Sequence, residues 1–266
     1  MILNANEIRK LIIEGVYNAK SGHPGGSLSI ADIMAVLFFE EMNIDPANPK
    51  DPDRDRFVLS KGHAAPALYA SLALKGYFNA EDIKTLRKVD SYLQGHPCIN
   101  KVPGVDMSTG SLGQGLSAGN GMAMCAKYDK KDYRVYVICG EGEIQEGQIW
   151  EAAMTSAHYK LDNVTLFVDS NGLQIDGPTA EVMNVANIAD KFRAFGWNAL
   201  EIDGHNPAAI KHAIEQAKAC KGQPTAIVCK TVKGKGVSFM EGNINFHGVA
   251  PNKEEYEKAM KELGGN

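Results

Sequence analysis

The chain has 266 residues, a hydrophobic content of 44% and a formal net charge of −4. That length supports one large α/β domain with an ample core, while the acidic balance and the lack of a basic block give no electrostatic case for nucleic acid. Cys98, Cys125, Cys139, Cys220 and Cys229 form no C-x-x-C pair, the N-terminus MILNANEIRK is no signal peptide, and no apolar run approaches membrane-spanning length, so a cytoplasmic chain with reduced thiols and no membrane contact is expected.

Apolar residues at Ile8, Leu11, Ile12, Val16 and Ala19 predict a helix over 4–19, with Asn4 or Asn6 as its cap. Ser21-Gly22-His23-Pro24-Gly25-Gly26 interrupts it and places His23 on irregular backbone. A second helix is expected over 30–41, capped by Ser27 or Ser29. Residues 43–55, rich in Asp, Pro and Asn, read as loop, and Arg56–Leu59 as a short strand. Ser60-Lys61-Gly62-His63 then turns into a helix over 66–75, with Pro66 in its first turn. His63 thereby lies near a helix N-terminus, where an imidazole can donate to a phosphate oxygen or act as a structural histidine. A helix over 80–89 precedes the loop Gln94-Gly95-His96-Pro97. Ser108-Thr109-Gly110-Ser111-Leu112-Gly113-Gln114-Gly115 leads into a small-residue helix over 116–126; such a turn has the geometry of an anion site and also of an ordinary connection.

The stretch 139–171 organises the rest. The apolar run Val135–Ile138 enters Gly140-Glu141-Gly142, a helix follows over 148–159, and a second apolar run, Val164–Val168, ends in Asp169-Ser170-Asn171-Gly172. This reads as strand, glycine turn, helix, strand and polar turn. In a parallel sheet both turns lie at carboxyl ends of strands, where open α/β sheets bind ligands. There Glu141 and Asn171 can share one hard cation, and a phosphate can sit on that cation and on glycine N–H groups. A dinucleotide reading fits poorly, because Gly140-x-Gly142 lacks the third glycine. Further on, helices are expected over 185–195, 207–220 and 253–263, and strands over 199–202 and 225–231. The turn Val232-Lys233-Gly234-Lys235-Gly236 is either a phosphate contact or simply solvated. His205 is read as loop structure, His158 and His212 as helix-surface residues. Strands alternating with helices imply a mostly parallel sheet with helices on both faces.

Gly-Asp-Gly followed by Asn after just under thirty residues is the thiamine diphosphate–metal motif, and this chain has that spacing with Glu in place of Asp. SGHPGG, DRFVLSKGHAAPALY, GHP, STGSLGQGLSAGNGMA, EGQIWEAAM, NGLQIDGPT and FHGVAP occur here in the order found in transketolases. Over nearly its whole length the chain resembles the N-terminal, pyrophosphate-binding part of a transketolase. The resemblance implies the three-layer thiamine diphosphate-binding α/β fold, with residues 1–266 as a single pyrophosphate-binding domain. It implies that His23, His96 and His247 face the sugar, and that His63, Gly110, Leu112, Gly140, Glu141, Gly142, Asn171 and His247 bind the cofactor. It also implies a metal held by Glu141, Asn171 and the Leu173 carbonyl, magnesium by expectation. Glu146 matches an interface glutamate that couples two active sites; it serves equally as a solvated helix-start carboxylate.

The family's pyrimidine-binding and C-terminal domains have no counterpart here, and the glutamate that acts on the aminopyrimidine belongs to the former. The expectation is therefore the N-terminal subunit of a split transketolase. It would move a two-carbon ketol unit between sugar phosphates only with a separate pyrimidine-half subunit, as an α2β2 dimer of heterodimers. Glu141 is one methylene longer than Asp, whereas magnesium demands near-ideal octahedral geometry. Three consequences are open: magnesium binding after a backbone shift, preference for calcium, or an impaired site. Glu143, past the turn, is the weaker substitute ligand. Alternatives in other classes are a deoxyxylulose-phosphate synthase component, a 2-oxoacid dehydrogenase α subunit, which lacks the SGHPG and FHG histidines, and a non-catalytic cofactor-holding homologue motivated by Glu141 alone.

Overall fold

A computed structural model describes residues 2–264. In chain order the elements are α1 (Ile2–Ala19), α2 (Pro24–Leu28), α3 (Ala31–Val36), β1 (Arg56–Leu59), α4 (Ala65–Lys75), α5 (Gln114–Tyr128), β2 (Val135–Gly140), α6 (Gly147–His158) and β3 (Val164–Ser170). They continue with β4 (Leu173–Gln174), β5 (Gly177–Pro178), α7 (Thr179–Val182), α8 (Ile188–Ala194), β6 (Asn198–Asp203), α9 (Pro207–Ala219), β7 (Thr225–Lys230) and α10 (Lys253–Glu262). Five strands form one sheet in the order β1-β2-β3-β7-β6, every neighbouring pair parallel. β4 and β5 form a small antiparallel ribbon after β3.

Successive strand side chains point to opposite faces, and both faces are covered. In β2, Tyr136 and Ile138 join a core built with α1, α3, α4 and α9, whereas Val135, Val137 and Cys139 join one built with α5, α6 and α8. The three-layer α/β expectation holds, and so does the continuous apolar reading of the central strands. Gly119 of α5 lies so close to β2 that a Cβ there would come within 2.7 Å of Val137. Gly121, two residues on in the same helix, has open space beside it.

Several local expectations change. The helix expected over 80–89 is a 3₁₀ segment, Ala80–Thr85, because the chain reverses through Arg87 and Asp90, both with positive φ. The helix expected over 30–41 is α at Ala31–Val36 and a π turn at Leu37–Glu41. Ser27 and Ser29 cap neither; their hydroxyls donate to the carbonyls of His23 and Gly26. Asn4 and Asn6 lie inside α1 rather than at its start. His205 is more than loop structure: its ring joins Asp32 to the Val232 amide.

Register fixes what meets at the carboxyl edge. Gly140 pairs with Asp169 and Ser170 with Lys230, so the turns after β2, β3 and β7 are neighbours. Ser60 N–H bonds to Ile138 O at 2.9 Å and brings the turn after β1 to the same edge.

Candidate active site

One cavity of about 400 Å³ lies across these turns. Its lining includes His23, His63, His96, Gly110, Leu112, Gly140, Glu141, Gly142, Asn171, Leu173 and His247, which sequence singled out, together with Lys61, Glu143, Asp169 and Lys233. Glu146 lies outside it, exposed at the start of α6, packed where a Cβ on Gly113 would touch its own Cβ at 2.8 Å.

Three histidines form a triangle. Ring centroids of His23, His63 and His247 are 5.2, 5.4 and 5.6 Å apart. Each comes from a different segment: His23 begins α2, His63 sits in the 3₁₀ turn before α4, and His247 ends a 3₁₀ turn near the C-terminus. Burial and the nearby Arg87, His96 and Lys233 hold His23 down at about 4. Burial, Lys233, His23 and Lys61 do the same to His247, also at about 4. His63 lies well below its ordinary value, by burial first and then by Lys61 and the other two rings. His96 is exposed at the mouth, its ring against Gly110, and is lowered by burial and by Arg87.

At neutral pH the cavity thus presents neutral imidazoles backed by cations. Among the described residues His23 Nδ1, His247 Nδ1 and Thr109 Oγ1 are buried without a hydrogen-bond partner. Orphaned donors and acceptors beside cations fit a polyanionic ligand such as a diphosphate. The depressed histidines also carry a stability consequence. Between about 6.5, their unfolded value, and about 4, the unfolded chain holds more protons than the folded one. Thermal stability should therefore fall as pH drops through that window. Scanning calorimetry from neutral pH downward should show this slope, and a His23→Gln/His247→Gln variant should reduce it, His63 retaining its share; an unchanged slope refutes the assignment.

Lys61, at the carboxyl end of β1, is 1% exposed. Its Nζ donates to Asp169 Oδ2 at 2.5 Å and to Gly26 O at 2.6 Å. Burial pushes the Asp169 carboxyl up, but Lys61 together with Thr231 and Ser29 brings it below its ordinary value. Lys233, read as equally a solvated turn, is in fact 2% exposed, and burial with the charge of Lys61 lowers it to about 8. Its Nζ approaches Leu173 O at 3.4 Å.

The oxygens available to a hard cation are the Glu141 carboxylate, the Asn171 amide and the Leu173 carbonyl, a donor set suited to magnesium or calcium. Glu141 Oε2 accepts from Gly172 N–H at 2.8 Å, and Asn171 Oδ1 from Leu173 N–H at 3.2 Å. Burial raises Glu141 above its ordinary value, against the bonds from Gly172 and Ser170. Among the described residues no group of three or more His, Cys, Asp or Glu is placed to hold a metal. A site with a single carboxylate ligand is compatible with that. Glu143 is committed elsewhere: it accepts from Ser60 Oγ at 2.5 Å and from the Gly113 and Gly140 amides at 3.0 Å each. It ties the turn after β2 to the start of α5.

The family model "Transketolase, thiamine diphosphate binding domain" matches residues 2–266. The chain is 49% identical over 259 residues to the 6-deoxy-6-sulfo-D-fructose transketolase subunit SqwG of Clostridium sp. (strain MSTE9), covering 97% of this chain and 94% of that protein. It is 46% identical over 261 residues to an apulose-4-phosphate transketolase subunit of Phocaeicola vulgatus, covering 98% and 92%. A transketolase variant from Pichia stipitis superposes with a TM-score of 0.95 at 33% identity, covering all of this chain and 41% of that one. Among the described residues no helix is long and apolar enough to cross a membrane.

Proposed function

The chain belongs to the transketolase family, matching its thiamine diphosphate-binding domain, and from that premise we propose that it is the pyrophosphate-binding subunit of a two-subunit transketolase. Residues 1–266 form the pyrophosphate-binding domain, acting in the cytoplasm with a separate pyrimidine-half subunit, as an α2β2 assembly. Two relatives that it matches over more than nine-tenths of their length are themselves named subunits. The observation that carries the reading is the convergence of His63, Gly110, Gly140, Glu141 and Asn171 on one cavity with buried, unpartnered polar atoms.

When bound, thiamine diphosphate supplies the carbanion chemistry that carries a two-carbon ketol unit from a ketose to an aldose. The chain's own residues bind and orient. His63 and Lys233 would hold the diphosphate, with the charge of Lys61, itself bonded to Asp169 and the Gly26 carbonyl, at the cavity wall and the backbone of Gly110 and Gly142 in the lining. Glu141, Asn171 and the Leu173 carbonyl hold magnesium, with calcium as the alternative ion. His23, His96 and His247, neutral at working pH, serve as hydrogen-bond donors or acceptors to sugar hydroxyls. The sugars belong to the sugar-phosphate class, or to the sulfosugar class named for the Clostridium relative.

Calorimetric titration with thiamine diphosphate tests this reading. Binding should require a divalent cation and vanish with EDTA. Restoring the shorter carboxylate in Glu141→Asp should strengthen the magnesium-supported affinity about tenfold relative to calcium, because the smaller ion tolerates less misplacement. Absence of binding with every metal, in the chain alone and with its partner, would refute the reading in favour of a non-catalytic homologue.

A further inference from the structure

The fifth turn at the carboxyl edge, after β6, carries His205. The ring is largely buried between two elements. Its Nε2 accepts the Val232 N–H at 2.8 Å, and its Nδ1 lies 2.8 Å from Asp32 Oδ2. A backbone amide only donates, so Nε2 carries the lone pair and Nδ1 the proton. The ring therefore donates to Asp32. The same carboxylate oxygen receives Arg9 Nη2 at 2.5 Å, and Arg9 Nε in turn donates to Lys235 O at 3.1 Å. Asp32 is thus the hub of two arms that end on Val232 and Lys235, one residue before and two residues after Lys233. Between them Gly234 N–H bonds to Gly25 O at 3.0 Å.

None of Arg9, Asp32 or His205 lines the cavity, and a charged pair as buried as Arg9–Asp32 is not retained for stability alone at low cost. We propose that Arg9, Asp32 and His205 are positioning residues that clamp the Val232–Lys235 turn and so hold the Lys233 ammonium at the cavity wall. The role rests on the anion-binding reading of the cavity, for which Lys233 supplies a cation.

The test reads Lys233 directly and needs neither cofactor nor partner. The full chain is labelled with limiting acetic anhydride at one fixed pH, and each lysine is quantified by peptide mass spectrometry. Lys130, exposed, sets the reagent scale, and Lys61, buried through contacts of its own, reports general loosening. His205→Ala should raise Lys233 labelling about fivefold, the opening expected for one lost hydrogen bond, with Lys61 unchanged. His205→Gln keeps an acceptor and a donor on one side chain and should restore near-native labelling. Unchanged Lys233 labelling in His205→Ala overturns the proposal, as does a parallel rise at Lys61, which would mark a merely structural role. Should His205→Ala not yield folded protein, Arg9→Gln, which cuts the other arm, is read in the same way. A separate arm with inorganic pyrophosphate and magnesium tests the anion site: lack of protection there refutes that reading and leaves the clamp standing on its own labelling result.

Discussion

An Asp169→Leu variant is expected to lose about 3–5 kcal/mol of stability, the usual cost of stranding one member of a buried ion pair. Leucine fills a similar volume but leaves the Lys61 ammonium, 1% exposed, with only the Gly26 carbonyl at 2.6 Å. The reverse change should be milder. In Lys61→Met the Asp169 carboxylate keeps donors from Ser29 at 2.7 Å, Asn171 at 3.1 Å and Thr231. A loss of about 2–3 kcal/mol is expected there, because hydrogen bonds to a charged group recover part of its desolvation cost. The double variant Lys61→Met/Asp169→Leu removes both charges and should regain most of the loss. Denaturant unfolding of the three variants checks the order; equal losses in both single variants would show that the neutral donors contribute little. pH separates this pair from the histidines. Asp169 lies below its ordinary 3.8, so its contribution is complete above that value and is lost only as pH falls through the lower folded value. Acid weakening that begins near 6.5 then belongs to the depressed cavity histidines, His23, His247 and His63 first among them.

The parallel sheet was legible because apolar runs such as Val164–Val168 alternate with helical periodicity, and because polar turns close them. Which histidines meet was legible only through the family resemblance: His23 and His247 are separated by most of the chain, and no local spacing places their rings 5.4 Å apart. Lys61 and Asp169 stayed hidden for the same reason. They pair across 108 residues, and each sits where its neighbours read as an ordinary strand end. Lys233 was obscured by composition: glycines and lysines in alternation are the usual content of a solvated turn, yet this one is tucked under Gly25 and Phe246. The helix expected over 80–89 failed locally, because Arg87 and Asp90 take positive φ and reverse the chain.

Ketol transfer by the chain alone should fall about 10²–10⁴-fold or more below that of the chain with the proposed pyrimidine-half partner, the range contributed by a positioned acid–base group. The physical reason lies in the carboxylates of the cavity. Glu143 is buried and holds Ser60 and two amides, Asp169 is paired with Lys61, and Glu141 is bonded to Gly172 and assigned to the metal. Asp176, the remaining acidic lining residue, is exposed at the rim. None of these described carboxylates is both free and enclosed, which is why the proposed two-subunit reading assigns the proton shuttle of ketol transfer to the partner. The histidines do not replace it. With His23 and His247 at about 4 they are weak bases, suited to holding hydroxyls rather than to taking a proton from carbon. The assay is ketol transfer at saturating cofactor and magnesium, first with the chain alone and then with the co-expressed partner. Comparable turnover in both would place the acid–base group within this chain and defeat the two-subunit reading. Restoration by a partner whose cofactor-facing glutamate is changed to glutamine should be incomplete, which separates supply of that carboxylate from mere closure of the cavity.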